Sequence, residues 1–217
     1  MNKKIKDIAP LAGLIVGALW ALCYYLLSIL MATGWFPHPI AAGVLVAAPL
    51  VITGCAHLHG FMNCSYDKTV STVFLFLSFY AAALSLDFKT ENFLILVFLP
   101  IIMRCCGRVA ITVMPTDIGS EEEKYQKNVD NGKLAFWIIS ALIAALLGTI
   151  ITKFYGLAIV AGLNGFFLTL MHAYRKKEGV SEEVVDYAII SGEAWAFVMF
   201  ALVGPFVEYF TKFILAF

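Results

Sequence analysis

Between Asp7 and Asp67 the chain has no Asp, Glu, Lys or Arg. A run so long and so apolar can satisfy its backbone polar groups only as helix in lipid, which excludes a soluble globular fold. Charge is scarce throughout, at 14% against 61% hydrophobic residues. The 217 residues divide into roughly six or seven spans of about 20 residues each, with no room for a large soluble domain. No basic block is long enough to follow a phosphate backbone, so nucleic acid is excluded as a partner. The cysteines Cys23, Cys55, Cys64, Cys105 and Cys106 are odd in number and lie mostly in or beside apolar segments, which argues against a disulfide framework. The pair Cys105-Cys106 lacks C-x-x-C spacing, and the cysteines read as small apolar packing residues. No Walker-type glycine loop, Gly-x-Ser-x-Gly elbow, His-Glu-x-x-His helix or cysteine-paired zinc motif occurs, so standard soluble-enzyme chemistries have no support.

What remains is an all-α fold, a polytopic transmembrane helix bundle forming one integral membrane domain over 1–217. Apolar periodicity places spans at about 8–33, 40–62, 69–86, 92–114, 134–152, 156–174 and 188–214. Seven is the first count and six the second, because the short third span and the fourth flank the turn from Asp87 to Asn92. The stretch behind Lys3, Lys4 and Lys6 is too long for a signal peptide and reads as a retained first span. Trp35-Phe36-Pro37-His38-Pro39 reads as an interfacial turn. With the N-terminus in the cytoplasm, that side receives Lys3, Lys4, Lys6, Lys68, Lys124, Lys127, Lys133, Arg175, Lys176 and Lys177. The other side receives Lys89, Lys153 and Lys212, a bias that sets this orientation. The loops after spans two, four and six then share one face. Gly13 and Gly17 form a small-x-x-x-small stripe, read as close packing within the bundle ahead of a dimer seam.

Three clusters could carry chemistry. The polar run at the cytoplasmic end of the second span, His57-Leu58-His59-Gly60-Phe61-Met62-Asn63-Cys64-Ser65-Tyr66-Asp67, would set His59, Asn63 and Asp67 on one stripe if helix persists through it. Such a stripe is a weak magnesium site, since hard cations want several charged oxygens, and His-x-His has no third zinc ligand; a wet helix end is the plain alternative. Arg104 and Arg108 stand one helical turn apart within a span, where charge is costly and faces a cavity or a partner. They read as a phosphate clamp or as partners of Glu193 on the last span. Ser120-Glu121-Glu122-Glu123 fits a capping box, and Ser181-Glu182-Glu183 a second helix start. Glu208 reads as interfacial and His172 as the end of the sixth span.

These residues resemble a known family, the adenosylcobinamide-GDP ribazoletransferases, or cobalamin 5'-phosphate synthases. Ala9-Pro10-Leu11-Ala12-Gly13-Leu14-Ile15-Val16-Gly17 is similar to its Phe-Pro-Leu-x-Gly-x-x-x-Gly opening. Thr53-Gly54-Cys55-Ala56-His57-Leu58-His59-Gly60-Phe61-Met62-Asn63 is similar to its Thr-Gly-Gly-x-His-x-Asp-Gly-x-x-Asp-x-x-Asp motif. Arg104 with Met114-Pro115 resembles the arginine-bearing span, Glu178 to Glu183 the Gly-Gly-x-Thr-Gly-Asp loop, and Ala188 to Glu193 the helix ending in Gly-Glu. The chain departs from the pattern where the family would place acids at His59, Asn63 and Tyr66. Asp67 lies one residue beyond, the Asp-Ser-Arg-x-Gly segment is missing, and Glu183 stands for an Asp.

The resemblance implies transfer of an adenosylcobinamide phosphoryl group to α-ribazole or its 5'-phosphate with release of GMP, late in cobalamin biosynthesis, with Mg2+ on the pyrophosphate. On it, the expected catalytic residues are His57, His59 and Arg104, and the expected substrate contacts Gly60, Asn63, Arg108, Gly179 and Ser181. Asp67, Glu182 and Glu183 are the expected metal ligands, with Asp186 beside them. The implied partners are the corrinoid nucleotide, α-ribazole, the lipid bilayer and other corrinoid-assembly enzymes, at the inner membrane of a prokaryote. The missing acids motivate a second expectation, an impaired relative that binds a corrinoid or nucleotide intermediate or scaffolds membrane enzymes. Buried Arg104, Arg108 and Glu193 suggest a third, a small transporter, although no inverted repeat supports it.

Overall fold

The structure, a computed structural model, describes residues 8–34, 36–86, 88, 93–116, 120–177 and 179–215. The expectations for Lys3, Lys4, Lys6, Trp35, Asp87, Lys89 and Glu178, and for the side chains of Glu208 and Lys212, lie outside what is described. Among the described residues the secondary structure is entirely helical. The helices are α1 (Ala9–Ala32), α2 (His38–Ile52), α3 (Ala56–Cys64), α4 (Lys68–Leu84), α5 (Ile95–Val113), α6 (Glu121–Lys127), α7 (Asn131–Thr152), α8 (Gly156–Lys177) and α9 (Glu182–Leu215).

Close helix approach follows from the glycines of α1. Pro10 sits in the first turn of α1, where its missing N–H costs nothing. Gly13 and Gly17 then lie directly on the α5 backbone: a Cβ at Gly17 would stand 2.4 Å from the Val97 carbonyl oxygen, and one at Gly13 2.6 Å from Ile101 Cα. The small-residue stripe is thus an internal seam, as expected. Because the obstacle is backbone and cannot rotate away, Gly17→Val is expected to destabilise the protein by about 3 kcal/mol or more, the top of the overpacking range. Thermal unfolding in detergent reads this, and a melting temperature equal to wild type would remove the seam.

Large side chains fill the space behind that seam. Trp20 is fully buried, stacks on Phe197 at 5.6 Å between ring centroids, and donates its indole N–H to the Leu45 carbonyl at 3.0 Å. Tyr24, Leu45, Leu96, Leu99 and Phe200 complete a core shared by α1, α2, α5 and α9. Lipid-type residues cover the outside, Leu142, Leu146, Ile150 and Leu168 among them.

The second span differs from expectation. Helix breaks after Ile52, and α2 and α3 meet at 93°. Gly54 and Cys55 both have positive φ, 60° and 58°, which ends one helix and redirects the next. The Pro49 carbonyl accepts the Thr53 N–H at 3.1 Å and also the Thr53 hydroxyl at 2.8 Å, which closes the end of α2 at the break. By length and composition, four helical stretches can cross a membrane, or five if the bent α2–α3 pair is one span. Two features separate this from the expected seven: α4 has only 17 residues, and α7 and α8 run together through the single turn Lys153–Tyr155. That turn reverses the chain. A Cβ on Gly148 would lie 2.6 Å from Ile159 Cδ1, whereas in straight helix the two positions stand roughly 16 Å apart. Lys153, with φ of 54°, makes the corner. The last helix begins at Glu182, six residues before the span expected from 188, because Glu182 and Glu183 suit a first turn.

Candidate active site

The site is built where α9 meets α3 and α5. Glu182, Asp186 and Glu193 recur along α9 at spacings of four and seven residues, so they share one face. Each meets a cationic or imidazole partner on a facing helix. Arg108 donates to Glu182 through both terminal nitrogens, at 2.8 and 3.4 Å. His57 Nδ1 lies 2.6 Å from Asp186 Oδ1. Arg104 Nη1 donates to Glu193 Oε1 and to the Pro100 carbonyl, both at 3.2 Å. Beside them, Asn63 Nδ2 donates to Glu183 Oε1 at 2.9 Å. The Arg108 guanidinium carbon also sits 6.0 Å from the centre of the Tyr125 ring.

Gly60 permits this. It packs so closely on α9 that a Cβ there would lie 2.4 Å from Asp186 Cβ and 2.9 Å from the Glu183 carbonyl oxygen. The connections converge as well: Val180 N–H donates to the Pro115 carbonyl at 3.0 Å, and Glu182 N–H to Glu122 Oε1 at 3.1 Å. The loops after α3, α5 and α8 therefore meet at one end of the bundle.

A cleft of about 680 Å³ opens between these elements. One wall is apolar and belongs to α1, with Ala12, Ile15, Val16 and Leu19; the other is polar, with His57, Arg104, Arg108, Glu182 and Asp186. Arg104 is 8% exposed, and its Nη2 is buried with no hydrogen-bond partner among the described residues. A buried guanidinium nitrogen without an acceptor is costly.

The family described as CobS, cobalamin-5-phosphate synthase, matches residues 2–65, which include the α1 wall of the cleft and all of α3. Two Clostridium perfringens proteins, from strain 13 and strain ATCC 13124, are each 29% identical over 216 residues, covering 87% of this chain and 83% of theirs. A Clostridium botulinum protein from strain Alaska E43 is 27% identical over 218 residues, covering 88% and 84%. All three are named adenosylcobinamide-GDP ribazoletransferase. Along most of its length the chain is similar to proteins of that family. No solved structure matches it.

Of the residues that the ribazoletransferase resemblance pointed to, the structure brings His57, Arg104, Arg108 and Glu182 into the cleft. His59 is exposed and lies outside it, because a residue two positions from His57 points to the opposite side of a helix. Gly60 meets α9 rather than the cleft. Asn63 holds Glu183, again beside the cleft. Gly179 is buried in the α8–α9 turn, and Ser181 caps α9, accepting from Val184 N–H at 3.4 Å. Helix does not persist to Asp67, since α3 ends at Cys64. Asp67 instead caps α4, accepting from Val70 N–H at 2.9 Å.

The expected magnesium ligands consequently do not gather. Asp67 is occupied as a cap on the exposed start of α4, Glu182 is clasped by Arg108, and Glu183 is held by Asn63. Among the described residues no group of three His, Cys, Asp or Glu side chains is placed to share one ion. This donor set does not fit a magnesium site made by protein side chains alone.

Sequence reading missed the His57–Asp186 pair and the contribution of α1 to the cleft. The spacing of Glu182, Asp186 and Glu193 was the available signal for the first. Nothing in the composition of α1 distinguishes its cleft face from its lipid face.

Proposed function

We propose that the cleft joins adenosylcobinamide-GDP to α-ribazole or its 5'-phosphate and releases GMP, at the cytoplasmic face of an inner membrane, with the N-terminus inside. The observation that carries this reading is a cleft with one apolar wall and one polar wall that holds both Arg104 and Arg108. An amphiphilic corrinoid suits the α1 wall, while its pyrophosphate suits the arginines. The names of the clostridial relatives support the same substrates.

In this reading a hydroxyl of α-ribazole forms a bond to the phosphorus that carries cobinamide, and the bond from that phosphorus to GMP breaks, the electron pair leaving with GMP. Arg104 holds a non-bridging oxygen, where charge accumulates. Ionised Asp186 only accepts, so His57 Nδ1 carries the proton between them and Nε2 keeps a lone pair for the proton of the attacking hydroxyl. His57→Ala is expected to lower kcat by about 10²–10⁴, the range for a general base, and Asp186→Asn to lower it less. Wild-type turnover in Asp186→Asn would remove the pair from the mechanism.

The decisive experiment supplies both substrates to the purified protein in lipid, with a clostridial relative run in parallel. Product from both supports the transferase. Product from the relative alone leaves the second reading, a binder of a corrinoid or nucleotide intermediate working beside other corrinoid-assembly enzymes. That reading is favoured by one observation: Asp67, the nearest acid to the motif's lost carboxylates, is turned away into an α4 cap.

A further inference from the structure

Beyond the far end of α3 lies a second cleft, of about 510 Å³, which shares no residue with the first. Its chemistry is the reverse of the first. In the first cleft both arginines and the histidine each have an acid: Arg104 has Glu193, Arg108 has Glu182, and His57 has Asp186. The second is lined by His172, Arg175 and Lys176 from the end of α8, and no carboxylate lines it. Arg175 makes no hydrogen bond or ion pair among the described residues. Lys176 reaches only the Cys64 carbonyl, at 3.4 Å, and stands 5.6 Å from the centre of the Tyr66 ring. Ser71 and Tyr187 add hydroxyls to the same walls.

Concave shape, a lining with basic side chains and no carboxylate, and neutral hydroxyl donors together fit an anion with several acceptor oxygens. We propose that this second cleft binds a phosphate-bearing ligand, gripped by Arg175 and Lys176, with His172, Ser71 and Tyr187 as further hydrogen-bonding groups. Tyr66, 98% exposed, leaves an open aromatic face beside the phosphate position. A phospholipid headgroup from the surrounding bilayer and a water-soluble phosphate share this chemistry. The site does not depend on the reaction assigned to the first cleft.

The test has two arms. In one, the protein in phosphatidylcholine nanodiscs is titrated with inorganic phosphate by calorimetry. In the other, the protein is extracted from mixed phosphatidylglycerol and phosphatidylcholine, and retained lipids are counted by native mass spectrometry. Arg175→Gln with Lys176→Gln is expected to weaken binding about tenfold or more, roughly the loss of one charge-assisted contact or greater. Lys124→Gln with Lys127→Gln removes the same charge from α6, where both lysines already pair with Glu121 and Glu123, and is expected to leave binding unchanged. Saturable phosphate binding identifies a soluble ligand, and selective retention of phosphatidylglycerol identifies a lipid. Binding in neither arm, binding insensitive to the Arg175 and Lys176 changes, or equal losses in both double variants would overturn the proposal. A protein that binds here but forms no corrinoid product would retain this site and lose only the transferase reading.

Discussion

Arg104→Met is expected to lower stability by about 3–5 kcal/mol, because it leaves Glu193, 6% exposed, without the cation 3.2 Å away. Adding Glu193→Met restores most of that loss, since neither buried charge then remains and the volumes are similar. Activity does not return. The cleft would still lack the guanidinium assigned to the phosphate. Thermal unfolding in detergent measures the first effect and product formation in lipid the second. A double variant that regains both stability and turnover would show that Arg104 serves the fold alone.

Gly60→Ala is expected to cost roughly 100-fold in turnover, the order of a 1 Å misplacement of reacting groups. The added methyl would meet Asp186 Cβ at 2.4 Å and the Glu183 carbonyl at 2.9 Å, neither of which can swing aside. Relief requires α3 to move away from α9, and that motion stretches the His57–Asp186 and Asn63–Glu183 contacts together. Gly43→Ala is the matched control, because its Cβ would find only Tyr80 Cε2, at 4.0 Å. Equal turnover in the two variants would show that the close approach at Gly60 does not position the site.

Much of the architecture was legible because lipid leaves few alternatives. The uncharged run from 8 to 66 had to be helix, and the glycine pair at Gly13 and Gly17 had to be a close seam. The capping box at Ser120 also follows from local chemistry, its hydroxyl accepting from Glu123 N–H at 3.1 Å. The break at Thr53 was hidden, since apolar periodicity continues across it while Gly54 and Cys55 change the backbone direction. That break also undid the imagined stripe of His59, Asn63 and Asp67. Arg104, Arg108 and Glu193 were visible as costly charges within spans, and one of the two proposed pairings, Arg104 with Glu193, is present. Which acid met Arg108 and which met His57 depended on how α9 is rotated against α3 and α5. One chain's pattern does not encode that rotation directly, although the spacing of Glu182, Asp186 and Glu193 limits it.

The corner between α2 and α3 has a mechanical consequence for the surrounding bilayer. Fifteen residues of α2 rise only about 22 Å, against a hydrocarbon slab of about 30 Å. The lipid beside α2 must thin to match, or headgroups and water must follow the corner inward. Acyl-chain length thereby becomes a setting on the protein: short chains relieve the mismatch, and long chains press on the corner that carries His57 in the first turn of α3.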